Sequence, residues 1–145
     1  METTEWQKHS VRVRYQETDQ MGVVHHGNYL NWFEIGRTEY VRAMGYSYRE
    51  IEKLGLYLPV VDIQMSFRKP ARYDDMIDIY TKVDEFTNKK IIFEVEVRKG
   101  EDLLVTGKTV HVWLNSQWRT VRLDEEAPEI FEHLTKGAVV TDKVK

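Results

Sequence analysis

The chain has 145 residues, enough for one hydrophobic core without staples, and its 41% apolar and 31% charged residues are the balance of a soluble globular protein. It has no cysteine, which excludes a disulfide framework, thiol catalysis and thiolate metal sites, and no apolar run approaches the ~20 residues of a membrane-spanning helix. The 21 basic and 24 acidic residues leave a net charge of −3, which argues against nucleic acid as a partner. The first residues, METTEWQKHS, lack a signal-peptide core, so a cytoplasmic location is expected.

Residues 11–15 (VRVRY) alternate apolar and basic side chains, the period of a half-buried strand. Residues 16–22 (QETDQMG) have the polar character and the glycine of a loop. The period then changes. Tyr29, Trp32, Phe33, Gly36, Tyr40 and Met44 fall three and four apart, on one face of a helix of about four turns. Asn28 stands at the N-cap position of this helix, and Gly45 where a left-handed C-terminal residue belongs. Gly36, on the apolar face, would let a neighbouring backbone come close. Ser47-Tyr48-Arg49-Glu50 is a capping box for a second, shorter helix that Gly55 would stop.

From Pro59 onward the chain reads as strands. Val61, Ile63, Met65 and Phe67 alternate with polar residues until Pro70 interrupts the ladder. A strand over 77–83, a turn near Thr87-Asn88-Lys89, and an alternating run of Ile91, Phe93, Val95 and Val97 follow. Lys99-Gly100-Glu101-Asp102 makes the next turn, before a long strand over 103–114, a short partner over 119–123 and a brief helix over 128–134. Without repeats or a linker the expectation is one domain over 1–135, with 136–145 a polar tail. A strand, a long helix and then four or five consecutive strands joined by tight turns predict an α+β domain with an antiparallel sheet. A long apolar helix followed by a curved antiparallel sheet is the outline of a hot-dog fold.

Chemistry is best placed where the first strand meets the helix. Asp19 sits in the loop and a helix N-terminus follows, so Asp19, Gly22, His25, His26, Asn28 and Tyr29 can converge. Free amides at the helix start and the positive end of its dipole stabilise an oxyanion, while a carboxylate attacks or deprotonates water. Spacing alone leaves open that Asp19 is a turn former.

Residues 12–46 resemble the signature of the acyl-CoA thioesterases of the 4-hydroxybenzoyl-CoA thioesterase type. The resemblance is carried by Arg12-Val13, Thr18-Asp19, Gly22-Val23-Val24, His26 and Asn28-Tyr29. The continuation Phe33-Glu34 through Arg37-Thr38-Glu39 is similar to the bacterial short-chain or general acyl-CoA thioesterases of that family. It implies a hot-dog thioesterase with Asp19 as nucleophile or general base, the His26 N–H polarising the thioester carbonyl, and Gly22, Val24, His25, Asn28 and Tyr29 around the substrate. It also implies a homo-oligomer, a dimer or dimer of dimers forming a homotetramer, with the site at the protomer interface. No metal or cofactor is implied beyond the coenzyme A of the substrate. Arg68, Lys69 and Arg72 around Pro70 could grip its phosphates, or simply solubilise a sheet edge.

Other readings remain. His25 and His26, adjacent in an extended segment, would point to opposite sides and make an unconvincing metal pair. His25 with Glu39 is reminiscent of hot-dog hydratases or dehydratases, although Arg37 and Arg42 offer Glu39 ion pairs instead. His111, beside Trp113 on a strand, is expected to be a hydrogen-bonded structural histidine. A non-catalytic module that binds acyl thioesters is the remaining alternative.

Overall fold

The computed structural model describes residues 6–137. In chain order these form β1 (Gln7–Arg12), a 3₁₀ turn (Tyr15–Glu17), α1 (Asn28–Ala43), α2 (Tyr48–Lys53), β2 (Val60–Phe67), β3 (Met76–Phe86), β4 (Lys90–Lys99), β5 (Asp102–Val112), α3 (Leu123–Glu126) and α4 (Pro128–Gly137). Strict alternation builds the middle of the sheet. Ile77, Ile79, Thr81 and Val83 on β3, and Ile91, Phe93, Val95 and Val97 on β4, are buried on one face. The strands lie in the order β1-β3-β4-β5-β2, with every neighbouring pair antiparallel.

Helix α1 packs against β1, β3 and β4 with Trp32, Phe33, Gly36 and Tyr40 facing inward. Two glycines set how close it comes. A Cβ on Gly36 would overlap Thr81 Oγ1 and lie 2.8 Å from Ile79 Cγ2. A Cβ on Gly107 of β5 would lie 2.5 Å from the Phe33 ring. The close approach at Gly36 is therefore to the side chains of β3, rather than to a neighbouring backbone. Toward its N-terminus α1 shares a core with Val13, Val24, Ile77, Val95 and Val105. Toward its C-terminus Tyr40 and Val41 join Phe86, Phe93, Trp113 and Leu123, closed over by Ile51 of α2 and by Ile130 and Leu134 of α4.

Several local expectations change. The first strand ends at Arg12, because the chain turns into the 3₁₀ segment at Tyr15, although Val13 is still buried. Gly27, not Asn28, is the residue flanking α1; Asn28 is its first helical residue and donates its side-chain amide to Glu17 O. No strand forms over 119–123. A single bridge joins Leu114 to Thr120, because Asn115 Oδ1 accepts from the N–H groups of Gln117 and Arg119 and curls the segment, with Trp118 at φ 61°. Leu123 then opens α3, a helix the sequence pattern does not announce. Helix α4 runs to Gly137, past the tail boundary expected at 136, and residues 138–145 lie outside the described residues. The capping box of α2 forms as expected, Ser47 Oγ accepting from Glu50 N–H at 3.1 Å, and Gly45 and Gly55 take positive φ.

Candidate active site

Asp19 lies at the mouth of a small hairpin. Thr18 bridges Val24, the Asp19 N–H donates to Val23 O at 2.9 Å, and the Gly22 N–H donates to Asp19 O at 3.0 Å. Gly22 turns the chain at φ +81°, a conformation that favours glycine. Asp19 Oδ1 accepts from Met21 N–H at 2.8 Å and more weakly from Val23 N–H at 3.4 Å. Among the described residues no donor engages Oδ2, which leaves one oxygen of this half-buried side chain for a ligand or water.

The entry to α1 is held by Glu17, His25 and Asn28. His25 N–H donates to Glu17 O at 2.9 Å, and Gly27 N–H donates to His25 Nδ1 at 3.1 Å. Asn28 and Tyr29 donate their N–H groups to His25 O and His26 O. Among the described residues no group accepts from the His26 N–H. The two imidazoles stack, with centroids 4.3 Å apart and planes at 27°, rather than pointing to opposite sides. They sit on a turn whose Gly27 N–H captures the His25 ring, so the alternation of an extended chain does not apply. Tyr29 is buried, its Oη accepts from Ala71 N–H at 3.1 Å, and its ring meets Trp32 and Phe67 edge-on. Burial raises the pKa of its phenol above the ordinary tyrosine value, keeping it neutral at physiological pH.

Val24, His26, Tyr29, Arg68 and Lys69 line one open cleft of about 220 Å³, together with Phe67 and Pro70. Asp19, Gly22, His25, Asn28 and Arg72 lie outside that lining. Asp19 is tethered to it through the hairpin, since Val24 lines the cleft and Val23 bridges Arg72. Among the basic residues, Arg68 pairs with no carboxylate among the described residues, whereas Lys69 Nζ meets Asp102 at 3.2 Å. Arg72 serves the backbone, donating its N–H to Asp75 Oδ2 at 2.9 Å.

A larger cleft of about 540 Å³ lies at the α3 end, lined by Lys89, Val121, Arg122 and Glu125 among others. Its Arg122 is already taken by Asp124 at 2.8 Å and Glu125 at 3.4 Å, and none of the expected site residues reaches it. Glu39 is bound by Arg42 at 2.6 Å and lines a separate cavity against β1. It stands roughly 16 Å along α1 from Asn28, so within one chain His25 and Glu39 do not meet. His111 is a buried structural histidine, bonded to Thr109 Oγ1 at 2.8 Å and Leu58 O at 3.3 Å. Among the described residues no group of three His, Asp or Glu side chains could hold a metal ion. Glu17 carries no sequence signal, because its importance comes from Trp32, fifteen positions on and across the site. Phe67 and Pro70 read simply as strand end and breaker.

The profile described as the thioesterase-like superfamily matches residues 13–136. The chain belongs to the thioesterase-like superfamily. The match runs from the end of β1 to α4 and so takes in the Asp19 hairpin, the start of α1 and the whole cleft. YneP of Bacillus subtilis is 34% identical over 111 residues, 76% of this chain and 80% of its own length. The acyl-CoA thioesterase YbgC of Haemophilus influenzae is 32% identical over 127 residues, 86% of this chain and 93% of its own. A crystal structure of a DHNA-CoA thioesterase from Staphylococcus aureus superposes with a TM-score of 0.87 at 31% identity, covering 90% of this chain and 89% of that one. This member of the superfamily has the hot-dog fold and is a thioester hydrolase.

Proposed function

We propose that this thioesterase hydrolyses an acyl-CoA, with water as the second substrate, to the free carboxylic acid and coenzyme A. Asp19 supplies the attack, either bonding to the thioester carbon as nucleophile or taking a proton from the attacking water. The carbonyl oxygen becomes an oxyanion facing the His26 N–H at the start of α1, where the helix dipole adds to the stabilisation. Collapse of that intermediate breaks the C–S bond; in the nucleophilic route water then hydrolyses the acyl–Asp19 anhydride to the free acid and restores the carboxylate, and in the general-base route the proton held by Asp19 passes to the departing thiolate. A thiolate whose parent acid has a pKa of about 8.5, judged by cysteine, departs without a strong general acid, so a carboxylate and an oxyanion site suffice.

One observation carries this reading. His26 lines the cleft, and among the described residues its N–H has no acceptor while the amides on either side are taken. The relative named acyl-CoA thioesterase YbgC supports the acyl-CoA part. Arg68 and Lys69 border the cleft and Arg72 lies beyond it; these three are assigned to the phosphates of coenzyme A.

The same reading includes a homo-oligomer, a dimer or a dimer of dimers, and a cytoplasmic location. Among the described residues no helix is long and apolar enough to cross a membrane. For assembly the support is β2, an edge strand whose Val61 and Ile63 are 55% and 41% exposed. An exposed apolar strand edge of this kind can be covered by antiparallel pairing with the same strand of a second copy.

The test is release of titratable thiol from a panel of aliphatic and aromatic acyl-CoA thioesters. Turnover of at least one is expected. Saturable binding with no thiol released from any of them would instead mark a non-catalytic binding module.

A further inference from the structure

Glu17 is 4% exposed, and a carboxylate is rarely so buried unless donors surround it. Here the donors come from both parts of the site. Oε1 accepts from the Arg14 N–H at 2.8 Å, where the chain leaves β1. Oε2 accepts from the indole Nε1–H of Trp32, on the second turn of α1, at 3.2 Å and from Arg14 Nη2 at 3.3 Å. Its backbone oxygen accepts from His25 N–H and from Asn28 Nδ2, each at 2.9 Å. One residue thus joins the strand exit, the helix entry and the helix body.

We infer that Glu17 is the positioning residue for hydrolysis, holding the Asp19 hairpin against the start of α1 so that the carboxylate and the His26 N–H address the same thioester. This rests on the function proposed above. Asp19 is two residues from Glu17 along the chain, and Thr18 between them is fixed on both sides: its Oγ1 donates to Tyr15 O at 2.7 Å and its backbone bridges Val24. A shift of the Glu17 side chain relative to Trp32 therefore moves Asp19 relative to the helix. The Glu17 carbonyl also takes the N–H immediately before that of His26, fixing which amide at the helix entry stays free. An ion pair serving stability alone would need Arg14 but not the Trp32 indole.

Glu17→Gln keeps the shape and places an NH₂ where an oxygen accepted, so a donor then confronts Arg14 N–H or Trp32 Nε1–H. A misplacement of about 1 Å can cost on the order of 100-fold, so kcat should fall roughly 10- to 100-fold, with KM unchanged within about twofold. Trp32→Phe removes one of those bonds and should lower kcat in the same direction, by roughly 3- to 10-fold. The double variant should lose less than the product of the two single effects, as expected for residues in one network. The readout is thiol release normalised to folded protein, alongside thermal midpoints. A purely structural Glu17 would lower the midpoint while kcat per folded molecule stayed at the wild-type value, and that result overturns the inference. Should Glu17→Gln fail to fold, an unchanged kcat in folded Trp32→Phe overturns it equally. Absence of thiol release by the wild-type chain is a separate result, which removes the proposed function itself and this inference with it.

Discussion

His111 on β5 is 1% exposed, and burial, helped by the positive charge of Arg37, pushes its pKa down to about 4. In the unfolded chain an ordinary histidine titrates near 6.5. Below that pH the unfolded state takes up a proton that the folded state refuses, so stability falls as pH drops from about 6.5 to about 4 and returns as pH rises. The shift is worth about 3 kcal/mol over that window. Urea midpoints measured from pH 4 to 7 should therefore slope upward with pH, and His111→Gln should flatten the slope. An unchanged slope in that variant would place the titration elsewhere. The same residue marks what was legible one side chain at a time. A histidine beside Trp113 on an alternating strand reads as structural from the sequence. Glu17 does not, because its donors lie on either side of a loop and only folding brings the indole of Trp32 to its carboxylate. The stacking of His25 on His26 was likewise hidden, since it depends on a turn rather than on sequence spacing.

Among the elements, α1 and the strands from β3 to β5 follow from periodicity, because the burial of one face is what periodicity records, whereas β2 alternates in sequence yet buries neither face in this chain. The order of the strands across the sheet does not follow from periodicity. β2 leaves its neighbour in sequence and pairs with β5 at the far edge, a choice made by residues 68–75 as they cross the sheet and by hydrogen bonds such as Arg68 N–H to Leu104 O at 2.8 Å. The missing strand over 119–123 was also illegible, because its apolar residues satisfy α3 and the loop instead. Gly36 gives the helix–sheet contact a quantitative test. Alanine is the better helix former by about 1 kcal/mol, while overpacking a filled core costs roughly 1–3 kcal/mol. The new Cβ would overlap Thr81 Oγ1, a buried hydroxyl with no hydrogen-bond partner among the described residues, so the clash wins. Gly36→Ala should lower stability by up to about 2 kcal/mol in chemical denaturation, and Thr81→Ala in the same chain should recover part of the loss. Stabilisation by Gly36→Ala alone would show that α1 can move off β3.

At the scale of the molecule, the cleft is walled on one side by the helix entry and on the other by the end of β2 and the residues after it, at the edge where a second copy is expected. A charge at Ile63 should oppose burial of that edge without touching the cleft. Ile63→Glu is predicted to shift the light-scattering mass from dimer or tetramer toward monomer, and an unshifted mass would move the interface away from β2. The nearness of the Asp19 hairpin to the start of α1 was legible, because the two are contiguous in the chain. The second wall was foreseen only as a basic cluster, because Arg68 and Lys69 reach His26 through the long-range pairing of β2. The central claim is that the Asp19 carboxylate performs the attack, and steady-state thiol release by Asp19→Asn, with Glu39→Gln beside it, tests it most directly. Asp19→Asn should lose on the order of 100-fold or more in kcat while Glu39→Gln stays within about threefold of wild type. Near-wild-type turnover by Asp19→Asn, with the loss falling on Glu39→Gln, would contradict it.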